Sequence, residues 1–122
     1  MTKIREGRGS SVIYNIRRDD ICEGSGSSPV VNIRRDKICK GRSSSTVMNI
    51  RGDKVCKVTG SSVLYNIRGD NICEGTGSSP EFNIRRKNIC KGRGSSPAFN
   101  STDRLDTIHI IAVLYAMGEI RA

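Results

Sequence analysis

A chain of 122 residues with 35% hydrophobic residues is one domain by size, with a small core to be used efficiently. Its only apolar run, Ile108 to Met117, is too short to span a bilayer, and no apolar stretch follows Met1-Thr2-Lys3. Neither a signal peptide nor a transmembrane helix is therefore expected, a cytoplasmic location with reduced cysteines is expected, and the net charge of +9 favours anionic partners.

From the N-terminus to Asn100 the chain repeats itself. Asn15, Asn32, Asn49, Asn66, Asn83 and Asn100 stand 17 residues apart, and Cys22, Cys39, Cys56, Cys73 and Cys90 keep the same step. A fixed period means one structural unit used many times. The unit Val63–Ser79 reads V-L-Y-N-I-R-G-D-N-I-C-E-G-T-G-S-S. Its runs L-Y-N-I-R and N-I-C-E alternate apolar and polar residues, as half-buried strands do. Between them sits a two-residue turn: Arg18-Asp19, Arg35-Asp36, Gly52-Asp53 or Gly69-Asp70. Gly-Asp suits a tight hairpin and Arg-Asp suits it less well. The second connection, G-x-G-S-S-P or close to it, is a loop by composition.

With the half unit before Val12 and the strand before Asn100, the count reaches twelve strands. Two-residue turns require antiparallel neighbours. They also fix the register, with Ile16 opposite Ile21, Asn15 opposite Cys22 and Tyr14 opposite Glu23. One face then carries Tyr14, Val31, Met48, Tyr65, Phe82 and Phe99 with the isoleucines, and the other carries Asn, Cys and Arg. The alternative is a β-solenoid with a C-terminal capping helix. The hairpin turn counts against it, and so does the repulsive arginine ladder that stacking at about 4.8 Å would create.

After Asn100 comes Ser101-Thr102-Asp103-Arg104-Leu105-Asp106, a helix start by its capping residues and early acids. No residue from Thr107 to Gly118 is formally charged, and a helix apolar all round is buried all round. A twelve-stranded barrel with strands about 4.8 Å apart and tilted about 40° has a radius of about 12 Å, which leaves room for a helix. The expected fold is mainly β: a twelve-stranded antiparallel up-and-down barrel of 17-residue hairpin repeats, plugged by a buried hydrophobic C-terminal helix. The whole of 1–122 is one domain, with repeats over 1–100 and the helical tail over 101–122.

This arrangement resembles the tubby-like fold, a twelve-stranded barrel around a hydrophobic helix. No tubby sequence motif is present, so the resemblance implies no residue roles. The repeat N-I-R-G-D-x-I-C-x-G-x-G-S-S, as in Asn66–Ser79, is similar to uncharacterised bacterial tandem-repeat proteins of the integron-cassette type. That likeness covers residues 1–100 and implies no known activity.

No catalytic constellation appears, and no enzyme, cofactor or metal is expected. The cysteines read as small side chains paired with Asn across each hairpin, and no C-x-x-C pair exists. His109 reads as a residue near the start of the buried helix. The G-x-G-S-S loops lack the G-K-[ST] of a phosphate loop. Arg51-Gly52-Asp53 and Arg68-Gly69-Asp70 read as turns, and Asn100-Ser101-Thr102 as part of a helix cap.

Charge is the feature above background. Eleven basic residues stand against five acidic ones at the hairpin-turn end. The candidate anion-binding residues are Arg17, Arg18, Arg34, Arg35, Arg51, Arg68, Arg85 and Arg86, expected as a ring on one barrel rim. The expected function is a non-enzymatic binding module for a polyanion, either a nucleic-acid phosphate backbone or phospholipid head groups. The alternative is a structural or protein–protein assembly module, with self-association through the barrel face.

Overall fold

The computed structural model describes residues 2–121. The strands are β1 (Thr2–Glu6), β2 (Val12–Arg17), β3 (Asp20–Glu23), β4 (Pro29–Arg34), β5 (Lys37–Lys40), β6 (Thr46–Arg51), β7 (Lys54–Lys57), β8 (Val63–Arg68), β9 (Asn71–Glu74), β10 (Pro80–Arg85), β11 (Asn88–Lys91) and β12 (Pro97–Ser101), followed by helix α1 (Thr107–Ala116). They form a closed antiparallel barrel in which each strand pairs with its sequence neighbours and β1 pairs with β12. The solenoid alternative is thereby excluded.

The hairpin register is the one the two-residue turn dictates: Tyr14 opposite Glu23, Asn15 opposite Cys22, Ile16 opposite Ile21. Only the first residue of each turn is left-handed, with φ between 58° and 63° at Arg18, Arg35, Gly52, Gly69 and Arg86. That is the position where a type II′ turn has glycine. Three turns therefore hold an arginine in a conformation that glycine adopts at no steric cost.

Across the other connection, one residue of each long strand is extra. Ile21 faces Val31 and Cys22 faces Pro29, so Val30 bulges out of the ladder. The same irregularity recurs beside β6, β8, β10 and β12. The Val30 carbonyl is still satisfied, because the Gly41 N–H donates to it at 2.9 Å. A bulge adds local twist, and repeated bulges coil a sheet until its edges meet.

They meet at β12 and β1. Asn100 donates to the carbonyls of Gly7 and Gly9, as Asn15 does to those of Gly24 and Gly26. The Thr102 N–H donates to the Lys3 carbonyl at 3.0 Å. The barrel is thus six long–short hairpins, with the chain cut at the turn of the sixth.

Inside, Ile4, Ile21, Ile38, Val55, Ile72 and Ile89 make a buried ring from the short strands, and Val31, Met48, Phe82 and Phe99 are buried on the long ones. Helix α1 runs down the bore. Five consecutive residues, Ile110 to Leu114, are buried, which only a surrounded helix can achieve. It starts later than the sequence suggests: Ser101 ends β12 and residues 102–106 cross the mouth. Asp106 is the N-cap and makes no side-chain cap bond. At the far end Gly118 is left-handed at φ 79°, its N–H donates to the Tyr115 carbonyl, and the Glu119 N–H donates to that of Leu114. This is a Schellman stop. The helix leans on β4 and β3.

Candidate anion-binding site

The outer wall is built around the asparagines. Asn15, Asn32, Asn49, Asn66 and Asn83 each sit opposite a cysteine and are buried despite facing outward. Asn66 shows why. Its amide nitrogen donates to the Gly75 carbonyl at 2.7 Å and the Gly77 carbonyl at 2.9 Å, while its oxygen accepts from Arg68 Nε at 2.9 Å. One amide thus pins the loop between β9 and β10 and holds an arginine two residues away on the same face. A primary amide has both donors and an acceptor; a carboxylate could not donate to the carbonyls.

The arginine completes the clamp. Arg34 Nη2 donates to the Arg42 carbonyl at 3.0 Å, and Arg51 Nη2 to that of Thr59 at 3.1 Å. Arg17, Arg68 and Arg85 make the longer equivalents to Ser25, Thr76 and Arg93. Each guanidinium has five N–H donors and spends only some of them on the wall. Arg34, Arg51, Arg68 and Arg85 remain exposed.

The eight candidate arginines are therefore not one rim. Arg17, Arg34, Arg51, Arg68 and Arg85 fold back along the wall toward the G-x-G loops, as a belt around the barrel. Arg18, Arg35 and Arg86 sit in the hairpin turns. Without the belt, the hairpin-turn mouth carries eight basic against seven acidic residues once Lys3, Arg104, Asp103 and Asp106 are included. In the sixth hairpin Thr102 takes the belt position, but Arg5 stands on the outer face opposite Asn100 and keeps a cation there. The clamps of Asn15, Asn66 and Asn83 were legible in principle as N-x-R followed by G-x-G at a fixed distance, and those of Asn32 and Asn49 as near copies ending in Gly41-Arg42-Ser43 and Val58-Thr59-Gly60; their hydrogen bonds were not.

The cysteines are buried and free. Burial pushes the Cys22 thiol above its usual range and Asp20 adds to this, opposed by Arg17 and Arg42. A raised thiol is a poor nucleophile. His109 Nδ1 lies 4.0 Å from an Asp106 carboxylate oxygen, in the first turn of α1. Among the described residues no group of three His, Cys, Asp or Glu is placed to hold a metal, and no helix is long and apolar enough to cross a membrane. Compared with family models, with curated proteins and with solved structures, the chain matches none.

Proposed function

We propose that the protein is a non-enzymatic binding module for a flexible polyanion, a single-stranded nucleic-acid backbone, held by the arginine belt. The supporting observation is the set of five guanidinium groups fixed by Asn and loop carbonyls with donors to spare. Neighbours in the belt are two strands apart, about 9.6 Å. Because the groups are already held in place, less side-chain entropy is lost when phosphate binds.

Shape favours a strand over a membrane. A flat bilayer touches only a sector of a ring around a cylinder, whereas a flexible chain can follow it. The exposed apolar side chains Val30 and Val58 stand singly in different repeats and give no insertion surface. The aromatics Tyr14, Tyr65, Phe82 and Phe99 belong to the interior cluster, so no stacking platform is offered to bases. Binding of this kind is salt-sensitive and indifferent to sequence.

The test is retention of single-stranded DNA as salt is varied, for the wild type and for a variant with Arg34, Arg51 and Arg68 changed to Gln. Loss of three phosphate contacts is expected to reduce the log–log salt slope by about 2. Equal slopes for two folded proteins would refute the reading. Tighter binding to anionic lipid vesicles than to DNA would replace the strand with a membrane surface.

A further inference from the structure

We propose a second, smaller site at the hairpin-turn mouth, for a nucleotide-sized organic phosphate bound between Arg86 and Arg104. It adjoins the belt at Arg85, which also lines the cleft, and does not depend on the other four belt arginines.

The helix leans on β4 and β3, so the opposite side of the bore is not filled at its mouth. A cleft of about 700 Å³ remains there, between the first turn of α1 and the turns after β8 and β10. That is a usual size for a small-molecule site. Arg86 comes from the turn and Arg104 from the segment that crosses the mouth, with Asp70 the one acid in the lining. Ile84, Leu105 and Ile110 supply an apolar wall. Two guanidinium groups beside an apolar wall match a phosphate attached to a flat apolar group. On the other side of Arg104 a smaller cleft of about 320 Å³ repeats the theme with Arg18 and His109.

The backbone supplies a second argument. Arg86 and Arg18 occupy left-handed turn positions, at φ 58° and 59°, where Gly52 and Gly69 stand in equivalent turns. An L side chain there is less stable than glycine. Neither guanidinium makes an ion pair with a described residue. Arg35 shares the left-handed position and lines neither cleft, so strain alone marks no site; at Arg86 and Arg18 it accompanies a charge held out beside a cleft.

The experiment is a ¹H–¹⁵N NMR titration of the full chain with AMP, with adenosine as the uncharged control. Saturable shifts are expected at the amides of Arg86, Asn88, Arg104 and Leu105, and much weaker ones with adenosine. Arg86→Gly should weaken AMP about tenfold while raising Tm by about 3–5 °C, opposite signs that a purely structural residue would not give. Arg104→Ser should weaken AMP as well. No AMP-dependent shift at the mouth, or unchanged affinity in both variants, overturns the proposal. The belt variant with Arg34, Arg51 and Arg68 changed to Gln should bind AMP normally, so either site can fail alone.

Discussion

At the scale of the residue, the asparagines and not the cysteines organise this wall. Asn66 closes three hydrogen bonds with one side chain, and no buried side-chain polar atom among the described residues lacks a partner. Removing such a group strands loop carbonyls that were satisfied in the folded state. Asn66→Ala is therefore expected to destabilise the barrel by about 1–3 kcal/mol, read from urea unfolding. It should also release Arg68. A loss below about 0.5 kcal/mol would mean that water replaces the amide at no cost. Val58 breaks another local rule. It is β-branched, left-handed at φ 52°, and stands where the other repeats use a glycine such as Gly75.

At the scale of the element, the helix is fixed at its exit by a strand. Tyr14 Oη donates to the Ala116 carbonyl at 2.9 Å, joining β2 to the last turn of α1. Burial raises the Tyr14 hydroxyl above its ordinary range, and the Glu23 carboxylate adds to the rise. Tyr65, on the equivalent position of β8, is raised by burial too. A raised folded value means that the unfolded chain ionises first. The stability these tyrosines contribute is present below the unfolded value and is lost as pH climbs from about 10 through the folded value. Unfolding free energy should fall across that window, and Tyr14→Phe should flatten the fall. An identical alkaline profile in the variant would show that other groups carry it.

At the scale of the whole molecule, strand number and plug are matched. Twelve strands give a radius of about 12 Å, and ten would give about 10 Å at the same tilt. Deleting residues 46–62 removes one complete repeat and leaves every local rule intact. The shortened barrel nonetheless has no room for α1, whose Ile111, Val113 and Leu114 are completely buried here. The deletion is expected to abolish the monomeric fold and expose the helix, seen as aggregation or as rapid amide exchange over residues 110–114. A soluble ten-stranded monomer with those amides protected would break the link between strand number and plug.

The sequence alone determined the unit, the register, the count and the closed architecture. Each follows from a short-range rule: period-two alternation, a two-residue turn, and a helix without a charge. Gly118, just past the last apolar residue of the run, likewise reads as a helix stop from sequence alone. The sequence could not place the arginines. Arg17 and Arg18 are neighbours in the chain, yet one folds back over the wall and the other stands in a turn. That choice depends on where the loop between β3 and β4 lies, and the bulge at Val30 helps to set its position. The tilt of α1 toward β4 was equally hidden, because it comes from packing between residues far apart in sequence. Tertiary structure thus turned one expected rim into a belt and a mouth, since a long side chain takes its direction from the nearest unsatisfied acceptor.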